Sequence, residues 1–129
     1  MGAQSQETDG GGMNGTVNLP WPPRDLWPNV KKCAMCKYRV AKKYRRDCWI
    51  LALAAGLTAN KYASIYLTIT FHPPSKRRYD LDNCIASLKN GIDGLADAVK
   101  VDDWLFRIFA CLADPRPHGS VVVRISDQP

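Results

Sequence analysis

The chain has 129 residues, of which 46% are apolar, so it is long enough for one compact domain with a hydrophobic core. Its 18 Lys and Arg against 12 Asp and Glu give a formal charge of +6, which favours a polyanionic partner. The longest apolar run, 48–57, is too short to span a bilayer, and no apolar leader is visible. We therefore expect a cytoplasmic protein without a membrane partner, whose five cysteines are free thiols.

The first half of the chain predicts a leader, a strand and a helix. Residues 1–14 are rich in Gly, Ser, Gln and Asn, so we expect a disordered leader before a folded domain at 15–129. Residues 16–19 alternate as a short strand does, and prolines follow them. Asn29 is the expected N-cap of a helix that ends near Gly56. The expected buried stripe of this helix is Val40, Tyr44, Cys48, Leu51 and Ala55.

The second half predicts a strand, a helix and two more strands. Residues 61–71 alternate throughout, and the apolar face comprises Ala63, Ile65, Leu67, Ile69 and Phe71. A helix is expected from about 82 to 98, with the apolar stripe Ile85, Leu88, Ile92, Leu95 and Val99. Residues 105–113 and 120–126 predict strands joined as a hairpin through 114–119. The order β-α-β-α-β-β predicts a single α+β domain with a small mixed sheet packed by two main helices.

Basic and acidic residues are segregated along the chain. Eight basic residues and no acidic one lie between Lys31 and Arg46, whereas six of the 12 acidic residues lie between Asp80 and Asp103. The first group is suited to holding phosphates, and the second is a cluster of carboxylates. The basic side chains that we expect to contact nucleic acid are Lys42, Lys43, Arg45, Arg46, Lys76, Arg77 and Arg78.

Asp80 and Asp82 precede the second helix, where carboxylates commonly serve as caps. The alternative is a metal site, because two carboxylates at this spacing can share a divalent ion. Mg²⁺ prefers oxygen ligands, and phosphodiester cleavage requires an activated water and neutralised phosphate charge. Asp80 and Asp82, with one or both of Asp102 and Asp103, form the expected Mg²⁺ set.

Lys89 is the candidate basic residue beside the phosphate. On one continuous helix, Asp82, Lys89 and Asp93 lie within about 40° of each other, because successive residues turn by about 100°. The alternative is a solvated Lys89–Asp93 pair. A straight helix over 82–98 is roughly 24 Å long and carries Asp102 and Asp103 away from Asp80. Three arrangements remain open: a bend at 91–94, a chain that folds back after residue 99, or a site shared with another protomer.

Four segments together resemble the RusA-like Holliday junction resolvases, small endonucleases common in phages and prophages. They are Leu19-Pro20-Trp21-Pro22-Pro23, Arg78-Tyr79-Asp80-Leu81-Asp82-Asn83, Asp93-Gly94-Leu95 and Val101-Asp102-Asp103, within residues 17 to about 126. The resemblance implies a homodimer with a mixed α/β fold that resolves four-way DNA junctions by paired symmetric nicks, using Mg²⁺ or Mn²⁺. It assigns catalytic roles to Asp80, Asp82 and Asp103, with Asp102 adjacent. The family's functional lysine falls on Ala86 without a gap, or on Lys89 if the helix carries a short insertion.

A second hypothesis is a non-catalytic, structure-selective DNA-binding module of the same fold, zinc-stabilised through Cys33 and Cys36. A structural zinc needs four ligands, and no second close pair accompanies these two. Trp21 and Trp27 either cover the sheet or insert into a junction, and covering is the preferred interpretation. Trp104 is the expected core anchor after the Asp102-Asp103 pair.

Overall fold

The computed structural model describes residues 14–57, 65–100 and 106–127. These residues form a small α+β domain with one four-stranded sheet and three α-helices. The elements are β1 (Asn14–Pro20), α1 (Ala34–Ala54), β2 (Ile65–His72), α2 (Leu81–Ser87), α3 (Lys89–Val99), β3 (Phe106–Leu112) and β4 (Ser120–Ser126). A short 3-10 turn, Arg24–Leu26, precedes α1. Asn14, assigned to the leader from sequence, belongs to β1, and residues 1–13 lie outside the described residues.

The strand order is β1-β4-β2-β3, with β4 antiparallel to both β1 and β2 and β3 parallel to β2. The predicted β3–β4 hairpin is therefore wrong. After β3 the chain crosses the end of β2, where Ala113 N–H donates to Phe71 O and Arg116 N–H to Pro73 O, both at 2.9 Å. Residues 113–119 therefore make this crossing instead of a hairpin turn, and β4 pairs with β2 on the side opposite β3.

The predicted apolar face of β2 is confirmed. Ile65, Leu67, Ile69 and Phe71 are all 0% exposed, while the residues between them are half-buried. Neighbouring strands add Val17, Leu19, Val121, Val123 and Ile125 to the same core. Ala63 lies outside the described residues.

Helix α1 begins later than predicted. Its N-cap is Cys33 rather than Asn29, and the Cys33 sulfur accepts a hydrogen bond from Cys36 N–H at 3.2 Å. Its buried residues are Tyr44, Cys48 and Ala52, whereas Leu51 and Ala55, expected on the buried stripe, are exposed. None of the helices in the described ranges combines the length and apolar character needed to cross a membrane.

Helices α1 and α3 pack closely because glycines face the contact. A Cβ at Gly94 would meet the Arg45 carbonyl oxygen and would lie 3.0 Å from Trp49 N. A Cβ at Gly91 would lie 3.0 Å from the Tyr44 ring. Beside this contact, the Arg45 guanidinium donates two hydrogen bonds to Asp97, at 2.7 and 2.8 Å. The glycines therefore permit close packing rather than the bend considered from sequence.

The second predicted helix is interrupted at Leu88, so it forms α2 and α3. The buried Ser87 hydroxyl donates to Cys84 O at 2.8 Å, and Leu88 N–H is shared between Cys84 O and Ile85 O at 3.2 Å. Such side-chain bonds compete with the helical backbone pattern and favour bends. The apolar period runs through the interruption because both helices pack on the same core.

We expect Gly94→Ala to lower the free energy of unfolding by about 1–3 kcal/mol, because the added methyl group meets backbone atoms that cannot rotate away. Urea denaturation followed by circular dichroism measures the change. Gly15→Ala is the control, since its Cβ would lie 3.4 Å from the Leu57 side chain, an ordinary contact. Equal stability of the two variants would contradict the close helix packing.

Candidate functional site

The ends of three strands meet at one end of the sheet. Ser120 is in register with Pro20 on one side and with His72 on the other. The segments that continue from these strand ends therefore come together. They border a cleft of about 710 Å³, lined by Trp21, Pro22, Arg24, Trp27, Asn29, Val30, Pro74, Arg77, Arg78, Tyr79, Asp80 and Asn83.

Three aromatic rings form one wall of this cleft. The Trp21 ring centroid lies 5.6 Å from that of Trp27 and 5.5 Å from that of Tyr79. All three side chains are half-buried and pack against the core, and Trp21 meets the Phe71 ring edge-on at 6.1 Å. The predicted covering role of Trp21 and Trp27 is thus confirmed, and both also line the cleft.

The aromatic wall is supported from behind. Gly119 has a φ of +71°, and a Cβ there would lie 3.0 Å from both Trp21 and Pro74. A residue without a side chain therefore fits both the conformation and the space. The Tyr44 hydroxyl donates to Pro20 O at 2.6 Å, which ties α1 to the end of β1, and burial raises the pKa of Tyr44 well above its usual range.

Three arginines bring positive charge to the cleft. Arg24, Arg77 and Arg78 are exposed and line it, and the Arg77 guanidinium lies 4.8 Å from the centroid of the Tyr79 ring. Lys76 is exposed in the same loop. Sequence reasoning identified the 76–78 group but missed Arg24, whose signal was its position directly after the Pro22-Pro23 pair.

Asp80 occupies the N-cap position of α2, yet its side chain makes no capping hydrogen bond. Only its backbone takes part in the helix start, where Asp80 O accepts from Cys84 N–H at 3.0 Å. The exposed Asp80 carboxylate lines the cleft, and Asp82 is exposed in the first turn of α2. The geometry therefore leaves the carboxylate at position 80 available for a role other than capping.

The side chains at the start of α2 offer oxygen ligands, the type that a hard divalent cation prefers. Asp80 and Asp82 offer carboxylates, and Asn83, beside Asp80 in the cleft lining, offers an amide oxygen. Across the three described ranges, no three His, Cys, Asp or Glu side chains cluster as a metal site. Asp102, Asp103 and Trp104 lie outside the described residues. The described residues therefore include two of the four predicted carboxylates, Asp80 and Asp82.

The sheet register separates the cleft from the start of β3. Phe106, the third residue after Asp103 in the sequence, is in register with Ile65 at the beginning of β2. The cleft lies beyond the other end of β2, seven residues along at His72. At about 3.3 Å per residue, these strand ends are roughly 23 Å apart.

Lys89 forms an ion pair with Asp93, with 3.2 Å between Nζ and Oδ1, so the pair considered as the alternative is present. The angular relation between Asp82 and Lys89 assumed one continuous helix. That assumption was wrong, because the interruption at Leu88 lies between them. The role of Lys89 beside a phosphate stays a prediction.

The basic residues of α1 face solvent, as the apolar stripe indicated. Lys42, Lys43, Arg45 and Arg46 are all exposed. Lys43 pairs with Asp47 at 2.7 Å, and hydrogen bonds from Arg45 hold the pKa of Asp97 below its usual range. Their contacts with nucleic acid stay a prediction.

The cysteines differ from the expectation of five free thiols. Cys33 and Cys36 are joined as a disulfide, with their Cα atoms 5.3 Å apart at the start of α1. In this form they offer no thiolate pair to zinc. Cys48 and Cys84 are buried free thiols, and Cys111 is an exposed one.

No family model matches the chain. An uncharacterized protein of Xylella fastidiosa (strain Temecula1 / ATCC 700964) is 33% identical over 115 residues, which are 86% of this chain and 75% of that protein. The chain therefore belongs to the same family as that Xylella protein.

We expect Cys111 alone of these three thiols to react rapidly with a disulfide reagent such as DTNB at pH 8. Burial raises the pKa of Cys48 to about 12 and that of Cys84 to about 11, so both stay protonated far above neutral pH. Absorbance at the thiolate product's wavelength counts the reacting groups. Cys111→Ser should remove the fast phase, and a fast phase that survives this substitution would contradict the described burial.

Proposed function

We propose that this protein is a homodimeric, Mg²⁺-dependent endodeoxyribonuclease that resolves four-way junctions and related branched DNA by paired symmetric nicks. The observation that supports this most is the position of the Asp80 carboxylate. It is not used as a helix cap, and it lines the same cleft as Arg77 and Arg78. We further propose that the enzyme acts in DNA recombination and repair, in the cytoplasm of a bacterium or of a phage-infected cell, as the RusA-like motifs suggest.

In this proposal Asp80 and Asp82 hold the metal together with Asp102 and Asp103, and Mn²⁺ can substitute. When bound, the ion neutralises phosphate charge and lowers the pKa of a water molecule. The arginines beside Asp80 hold the scissile phosphate and stabilise the negative charge that develops on it. Lys89 assists at the phosphate, and the exposed basic residues of α1 contact more distant parts of the backbone. Branch shape rather than base sequence selects the substrate.

A two-fold dimer suits a four-way junction, because both have two equivalent halves. Of the described strands, β1 and β3 lie at the edges of the sheet. Edge strand β3 leaves Ile108, Phe109 and Leu112 exposed by 41%, 59% and 38%. Apolar side chains on an unpaired edge favour association with a second copy.

We propose that the metal site is completed between the two subunits. The Asp80 carboxylate lines the cleft, and Asp82 follows in the first turn of α2. In contrast, β3 begins at the opposite end of the sheet, roughly 23 Å away. This separation favours the sequence-based alternative in which Asp102 and Asp103 serve the partner's site. Each site then contains Asp80 and Asp82 of one chain and Asp103 of the other.

We expect Asp82→Asn to reduce nicking of a synthetic four-way junction at least about 100-fold, because it replaces a charged metal ligand with a neutral amide. Denaturing gel electrophoresis of end-labelled strands, with and without Mg²⁺, measures the rate. Junction binding in EDTA should be nearly unchanged.

The matched control is Asp114→Asn, which removes an exposed carboxylate that does not line the cleft. It should nick as the wild type does. A wild type that binds the junction without ever nicking it would favour the non-catalytic DNA-binding module. A fully active Asp82→Asn variant would overturn the site assignment and leave the activity standing.

We expect inactive Asp82→Asn and inactive Asp103→Asn proteins to regain nicking when they are mixed and allowed to exchange subunits. If each site takes Asp80 and Asp82 from one chain and Asp103 from the other, a mixed dimer has one site with both substitutions. Its other site contains neither substitution and is intact. The products should be single nicks rather than paired cuts. The same gel assay, with a nicked-junction marker, distinguishes these products.

One variant carries an affinity tag, and capture of the untagged variant together with it verifies subunit exchange. Size-exclusion chromatography with light scattering confirms that the mixed sample is dimeric. A mixture of the Asp82→Asn and Asp80→Asn proteins is the control, since both defects lie in the same half of the site and no intact site can form. Continued inactivity of the first mixture despite verified subunit exchange would show that each chain builds its site alone.

A further inference from the structure

We infer that the cleft beside Asp80 binds a single unpaired nucleotide, with its base on the aromatic wall and its phosphate at the arginines. This inference rests on the proposed function and deepens it. It specifies that the enzyme holds a nucleotide outside the duplex stack next to the metal-binding carboxylate. Unstacking a base costs least where the base is mismatched or already single-stranded, and branched DNA can contain such nucleotides.

The size of the cleft suits a ligand of this class. Its volume of about 710 Å³ falls within the range of roughly 300–1,000 Å³ that is typical of small-molecule sites. A base can enter such a cleft only after it leaves the duplex stack.

The rings of the aromatic wall pack against one another at tilted and edge-on angles, so each ring is held in place by its neighbours. The Trp27 indole N–H already donates to Pro22 O at 3.2 Å, so the ring offers its surface rather than its hydrogen-bond donor. Trp21 is held from behind by Phe71 and Gly119. Each base has an aromatic face, so stacking on such a wall accepts any base.

The charge of the lining favours an anionic ligand over an apolar one. Arg24, Arg77 and Arg78 line the cleft against one carboxylate, that of Asp80. Arg77 already stacks on Tyr79, which shows that a planar cationic group and an aromatic face are adjacent here. The Asn29 and Asn83 side chains add amide groups that can meet the edge of a base. Aromatic faces, guanidinium groups and amides together match the base and phosphate of a nucleotide.

The test compares two fluorescein-labelled probes by anisotropy in EDTA: an eight-residue oligothymidylate, and an abasic oligomer with the same number of phosphates. We expect the wild type to bind oligothymidylate more tightly. Trp27→Ala should weaken oligothymidylate binding about tenfold and abasic binding less than twofold, because stacking is lost and phosphate contacts remain. Trp27→Phe should retain most of the affinity. Trp49→Ala, which removes the same side chain from α1 outside the cleft, should change neither affinity.

A Trp27→Ala variant that weakens both probes equally, or neither, overturns the inference. Arg24→Ala provides an independent variant, since Arg24 is exposed and its removal should weaken both probes about equally. Unchanged binding by Arg24→Ala also counts against the inference. Because EDTA prevents cleavage, binding is measured independently of nicking, and the two proposals can fail separately. If the protein shows the expected binding pattern but never nicks junctions, only the proposed function is refuted. If the wild type nicks junctions but Trp27→Ala binds both probes as the wild type does, only the cleft inference is refuted.

Discussion

The insertion of β4 between β1 and β2 is the constraint on which the rest of the structure depends. Its register brings Pro20, His72 and Ser120 to the same level of the sheet. The aromatic segment after β1, the basic loop after β2 and the glycine before β4 therefore meet at one end. Because β2 and β3 are parallel, α2 and α3 must form the return connection, which places the Asp80 helix start at that same end.

The local structure could be predicted from sequence wherever the spacing of apolar residues was compatible with only one kind of element. The alternation along β2 identified its buried face, and the last two strands were placed to within a residue or so. The pairing of those strands was missed because alternation specifies a face and not a partner. The interruption at Leu88 was missed because the apolar residues on both sides face one core. The start of α1 was missed because Cys33, which is not among the preferred caps, holds that position.

The candidate site was predictable in its charges and not in its surroundings. The Asp80-Asp82 spacing and the 76–78 basic loop are sequence-local, so a motif identifies them. Arg24 and the aromatic wall reach Asp80 through the sheet register, which residues 48 or more positions apart must establish. Nor does the sequence reveal that Asp80 is the N-cap residue of α2 although its side chain makes no capping hydrogen bond. That geometric fact is what distinguishes a structural carboxylate from an available one.

The position of β4 also has a consequence for how the molecule is made. β1 is the first described strand to leave the ribosome, and β4, which holds it in the sheet, is the last. Closing so long a loop is slow, and non-local strand pairing generally delays folding. The strand register that aligns the Trp21 segment with the Arg77 loop is therefore complete only after nearly the whole domain has been synthesised. A nascent chain would therefore lack the assembled cleft until β4 has emerged and paired with β1 and β2.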